Sequence, residues 1–161
     1  KQAARTLNFL TEHEIESYPD LESRVAEITA ASTEAAAALK AAERRLAEMA
    51  VLIKDVTTCK ELHPLLQEYQ WAADKKQFRR KHEGTLILYE AAAKALKEQG
   101  FQKLPDLYAL KNEYKQLAEQ KKQLQQQYAE IKRQMQEYGI IKQNVDGILR
   151  IAPGKEQMQE R

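Results

Sequence analysis

Five cations fall within seven residues, at Lys75, Lys76, Arg79, Arg80 and Lys81, a density that suits contact with the phosphates of a nucleic acid. The stretch they belong to, DKKQFRRKH at 74 to 82, leads into an apolar helical pattern. A positive helix start is opposed by the helix dipole, so a merely solvated charge run is the competing reading. Tyr69 and Trp71 stand just upstream and suit either an aromatic anchor for a partner or the closing of a small local core.

No other constellation supports chemistry. His13, His63 and His82 fall on three separate segments without HxxxH or HExxH spacing, so no metal site is preassembled in the sequence. Cys59 is the single cysteine, which excludes an internal disulfide and a cysteine-rich zinc module, and it reads as a small half-buried side chain. No GxxxxGKS, GxGxxG or GxSxG occurs, which leaves nucleotide cradling and an activated serine without support. Tyr114, Tyr128 and Tyr138 recur at helical spacing, where packing with the phenol edge in water explains them. Catalytic residues, cofactors and metal ligands are therefore not expected.

The elements that carry these residues are helices. Of 161 residues only five are Gly and four Pro, while 43% are apolar and 31% charged. Good helix formers supply most of the remainder. The 26 basic and 24 acidic residues nearly balance, so a polyanion could be met only by a local patch. No apolar run approaches the roughly 20 residues that span a bilayer, and neither membrane insertion nor a signal peptide is expected. Beginning within a helical pattern at Lys1, the chain reads as part of a larger protein.

Ala3, Leu7 and Leu10 predict a short first helix ending near His13. Ser17, Pro19 and Asp20 signal a second start, because hydroxyl and carboxylate can take up the free amides of a first turn. From there Leu21, Val25, Ile28, Ser32, Ala35, Leu39, Ala42, Leu46, Met49, Ile53 and Val56 step by four and three, a heptad seam. Thr57, Thr58 with Glu61, and Pro64 predict a break or kink between 57 and 64, followed by a short segment through Trp71. Leu86 to Leu96 form a further helix that Gly100 can cap. Pro105 and Asp106 open the last one, whose seam runs through Leu107, Leu110, Tyr114, Leu117, Lys121, Leu124, Tyr128, Ile131, Met135 and Tyr138. Beyond Gly139 the pattern slips by one three-residue step towards Ile141 and Val145, where the first helix can dock.

Two seams of this length bury themselves best against each other. The expectation is an all-α fold, a long antiparallel coiled-coil-like hairpin with shorter helices packed at its ends. It forms one elongated domain over residues 1–151 with a flexible tail at 152–161. Matching small to large residues sets Ala35 opposite Tyr128, Ser32 opposite Ile131, Ala42 opposite Lys121 and Val56 near Leu107.

The blocks KQAARTLNFL (1 to 10), AERRLAEMAVL (42 to 52), KHEGTLILYEAAAKALKEQG (81 to 100), KLPDLYALKNEY (103 to 114) and IIKQNVDGIL (140 to 149) occur in this order. Together they resemble the carboxy-terminal region of relaxases, the mobilisation nucleases of plasmids and integrative conjugative elements. In that family an amino-terminal domain carries a tyrosine nucleophile and a histidine-rich metal site, and neither matches a position here. Pro64 departs from the helix-compatible residues the family usually has. The resemblance implies a non-catalytic accessory module in the bacterial cytoplasm, engaging transfer-origin DNA or proteins of the conjugation machinery. The alternative is a coiled-coil scaffold that binds a protein partner or self-associates without touching nucleic acid.

Overall fold

The structure, a computed structural model, describes residues 1–159, with side chains described through Arg150. Five helices and no strand form among them: α1 (Gln2–Glu12), α2 (Tyr18–Trp71), α3 (Lys75–Lys81), α4 (Glu83–Glu98) and α5 (Leu107–Gln159). The side chains of the expected tail at 152–161 lie outside the described residues, as do residues 160 and 161 entirely. No described helix is long and apolar enough to cross a membrane.

Local chemistry sets the helix ends. At the start of α2 the Asp20 amide donates to Ser17 Oγ (3.3 Å) and the Ser17 amide to Asp20 Oδ2 (3.2 Å), a reciprocal box that satisfies amides on both sides of the first turn. Asp106 plays the same part for α5, its Oδ1 accepting from the Tyr108 amide at 3.1 Å. Gly100, with φ +90°, ends α4 in the left-handed conformation: its amide bonds the Lys97 carbonyl and that of Phe101 the Leu96 carbonyl. The same pair of bonds closes α1, from Glu14 to Thr11 and from Ile15 to Leu10, but here a glutamate holds the left-handed position at φ 55°.

The break expected between 57 and 64 does not occur; α2 is continuous through Pro64 to Trp71. Thr57 Oγ1 donates back to the Ile53 carbonyl at 2.7 Å, which keeps it inside the helix, and Thr58 and Glu61 start no new one. Continuing the helix keeps Val56 and Cys59 (0% and 2% exposed) in a core with Leu110, Ala92 and Leu96. Burying a valine-sized side chain contributes roughly 1.5–3 kcal/mol. Two such terms are at least of the size of the roughly 3 kcal/mol that an interior proline costs. Pro64 itself is on an exposed turn, where solvent can take the carbonyl oxygen left without an amide partner.

The heptad seams are real. Every seam position from Leu21 to Val56 is buried or half-buried, as is every one from Leu107 to Tyr138 except Tyr114, which is 36% exposed. The described chain divides into two compact units, one of residues 1–40 with the described residues from 122 onward and one of Ala41–Lys121.

In the first unit the start of α2 meets the later part of α5. Tyr18 Oη donates to Asp146 Oδ1 at 2.6 Å, and Leu21 shares a core with Tyr138 and Ile141. α1 docks at the slip beyond Gly139: Phe9 meets the Tyr138 ring edge-on at 4.9 Å, and Thr6 Oγ1 accepts from Asn144 Nδ2 at 3.2 Å.

In the second unit α2 and α5 are again antiparallel, since Arg45 reaches Glu113 (3.3 Å) while Val56 and Cys59 share a core with Leu107 and Leu110. α4 completes that core through Ala92 and Leu96, with Leu86 (1% exposed) buried at its start.

Candidate nucleic-acid interface

The cationic stretch is not the start of a longer helix but a helix of its own. Asp74 caps it, its Oδ1 accepting from the Gln77 amide at 3.1 Å, so Lys75 to Lys81 form α3 with Arg79, Arg80 and Lys81 in the last turn. Positive charge at a helix C-terminus is favoured by the dipole, which reverses the objection that applies to a helix start. The Asp74-x-x-Gln77 spacing is the sequence signal for this start.

Phe78 turns α3 inward. Half-buried, it lies between the rings of His82 (centroids 4.5 Å apart) and Tyr69 (5.8 Å). At about 100° per residue, Lys76 and Arg80 lie about 160° and 200° around the helix from Phe78, on the side away from that contact. Lys75, Lys76, Arg80 and Lys81 are all exposed, and no carboxylate among the described residues comes within salt-bridge distance of them.

Arg79 stands apart from the other four. Its guanidinium grips Glu90 of α4 through two hydrogen bonds, 2.8 and 3.2 Å, stapling α3 to α4. Donation to Glu90, and then to the Tyr69 hydroxyl oxygen, raises Arg79 further above its ordinary range, and the Arg79 hydrogen bond draws Glu90 below the usual carboxylate value. Arg79 is thus committed within the protein.

The two aromatic residues separate in the same way. Tyr69 is half-buried and tilted against Phe78, whereas Trp71, the last residue of α2, is 87% exposed. Trp71 closes no core. An indole left in water four residues before a cationic helix offers a flat face for stacking beside charges that can neutralise phosphates.

Cys59, His13 and His82 serve packing. Cys59 is buried, and desolvation, then the charge of Asp55, pushes its thiol up, away from the reactive thiolate. His13 stacks on Phe9 at 4.0 Å with Nδ1 2.9 Å from the Phe9 carbonyl oxygen, and His82 lies between α3 and α4. Among the described residues no group of three or more His, Cys, Asp or Glu is placed to hold a metal ion. Of the seam tyrosines, Tyr138 is buried and Tyr128 half-buried with Lys132 Nζ 5.5 Å from its ring centre.

One polar cluster has only a partial sequence signal. Asp146 accepts from Tyr18 and, at 3.2 Å, from Lys142 Nζ. These bonds, Tyr18 first, hold its carboxyl below the ordinary range, while the Asp146 carboxylate raises the Tyr18 hydroxyl. The four-residue step from Lys142 to Asp146 is legible as a helix-surface pair, but the Tyr18 partner, 128 residues away, is not.

No family model, curated protein or solved structure matches this chain.

Proposed function

We propose that this chain is a non-catalytic carboxy-terminal accessory module of a conjugative relaxase, acting in the bacterial cytoplasm and holding DNA on the outer side of α3. The observation that carries the reading is the set of four exposed cations, Lys75, Lys76, Arg80 and Lys81, without a salt-bridge partner among the described residues, close in sequence to the exposed Trp71. Cations of this kind bind phosphate without reading sequence and make affinity fall steeply with salt. The ordered blocks resembling relaxase carboxy-terminal regions support the wider assignment.

The test is fluorescence anisotropy of labelled single- and double-stranded oligonucleotides across a salt series. Saturable binding that weakens with salt is expected, with loss when Lys76, Arg80 and Lys81 are reversed in charge. Trp71 is the only tryptophan, so its emission reports base contact directly. Unchanged affinity after charge reversal would refute the reading.

A second reading is a scaffold that binds a protein of the transfer machinery. It is favoured by Ile87 and Leu88, 50% and 62% exposed on consecutive positions of α4. Absence of DNA binding at low salt, with loss of a pulled-down relaxosome protein on Ile87→Lys, would select it.

A further inference from the structure

Within the first unit a groove of about 440 Å³ runs between α1 and α5, away from the cations of α3. Phe9 and Ile141, each 7% exposed, belong to its lining together with Ile140, which is 59% exposed on α5. An isoleucine left this open beside an otherwise buried pair gives the groove an apolar anchor that the fold of this unit does not use.

The groove is graded in charge. Because Thr6 meets Asn144 while Phe9 meets Tyr138, α1 runs antiparallel to α5. Arg5 therefore lies at the Asn144 end, and Glu12 at the Glu137 end. Arg5 and Glu12 are seven residues apart, about two helical turns, and so stand on the same flank of α1. Both are exposed, and among the described residues neither has an oppositely charged partner within salt-bridge distance. Glu137 is occupied by Arg133 of its own helix at 3.5 Å.

A helix edge that is positive at one end and negative at the other is complementary to itself when turned end for end. A two-fold axis beside Asn8 sets Arg5 of one copy against Glu12 of the other, and the same pair forms again by symmetry. The two α1 dipoles then oppose each other favourably, and Ile140 of each copy is brought to the apolar rim. We infer that this groove is a self-association surface, at which a second copy of the chain docks antiparallel along α1. The surface offered by an 11-residue helix is well below the roughly 800 Å² per partner of a standard interface, so dimerisation is weak and concentration-dependent.

Sedimentation equilibrium of the full chain across a concentration series, up to about 500 μM so as to reach weak association, tests this. The wild type is expected to move from 18.6 kDa towards twice that mass. Arg5→Glu and Glu12→Arg should each hold the chain near monomer mass, whereas the double exchange restores association because each copy supplies both partners. Ile140→Lys, at an exposed position, should also abolish it, with unchanged circular dichroism showing that the fold is kept. A constant monomer mass over the whole range would overturn the proposal. So would dimerisation indifferent to these changes, or a double exchange that fails to restore it.

Discussion

Neutralising Glu90 should make the chain bind DNA better, although the substitution removes an ion pair. In the wild type four cations of α3 are free and Arg79 is held by Glu90. With one phosphate neutralised per free cation, the log–log salt slope on a single strand is about −2.8, so raising salt from about 50 to about 200 mM weakens binding about 50-fold. Glu90→Gln keeps the side-chain shape, releases Arg79 and removes a carboxylate from beside the bound strand. The slope then steepens to about −3.5 and the same salt step costs about 130-fold, with tighter binding at the low-salt end. Arg79→Ala leaves the slope near its wild-type value, while Arg80→Ala flattens it to about −2.1, a loss of about 18-fold over the same step. Anisotropy titrations at several salt concentrations read all three, with circular dichroism confirming that α3 and α4 remain folded. If Arg79→Ala flattens the slope as much as Arg80→Ala does, or Glu90→Gln leaves it unchanged, the partition of the patch into four free cations and one structural arginine is wrong.

Other consequences follow from the packing. Pro64→Ala, on an exposed turn inside α2, should stabilise the chain by about 2 kcal/mol in urea unfolding, the proline penalty less the entropy proline removes from the unfolded state. Glu14→Gly should add about 1 kcal/mol, because its φ of 55° favours a residue without Cβ; a loss of stability would show that the glutamate side chain has a partner. Leu86→Ala, at a position 1% exposed, should cost about 2–5 kcal/mol by the same measurement. The wild-type advantage over Asp146→Asn should be full above the ordinary aspartate value of 3.8. It should vanish as pH falls through the depressed native value, because a lowered carboxylate pKa stabilises only the ionised form; an advantage that persists in acid would contradict the Tyr18 and Lys142 bonds.

Most of the fold is legible because a heptad repeat is a statement about burial as well as about helicity. Residues stepping by three and four from Leu21 to Val56, and from Leu107 to Tyr138, must share one stripe, and a stripe that long finds cover only along another. The breaks were harder to read than the runs. Thr57, Thr58 and Pro64 carry genuine local penalties, but those penalties are decided against Val56 and Cys59, whose burial depends on α4 and α5 and is invisible to any local window. Asp74 and Gln77 show the converse: their three-residue spacing is a capping signal that lies within a run of charge and is legible without any tertiary contact. The five-cation cluster was legible as composition, whereas the division between Arg79 and its neighbours required knowing that Glu90 folds back within reach.

The surfaces proposed for binding lie outside the seams for a physical reason. Seam positions are constrained by packing on both sides, and a polar group there must reach its end out to water, as at the half-buried Lys121 and the partly exposed Tyr114. α1 and α3 carry only a few such obligations: Phe9 against Tyr138 and Thr6 against Asn144 on α1, Phe78 against Tyr69 and His82 and Arg79 on Glu90 on α3. These contacts sit on one side of each short helix and leave the opposite side open to solvent. The exposed positions of α3 include Lys76 and Arg80, and those of α1 include Arg5 and Glu12. Exchanging charges on either helix should therefore change what the chain binds while leaving its helical content intact, whereas the same exchanges at Ser32 or Leu46, both buried, should unfold the pair before any change in binding can be read.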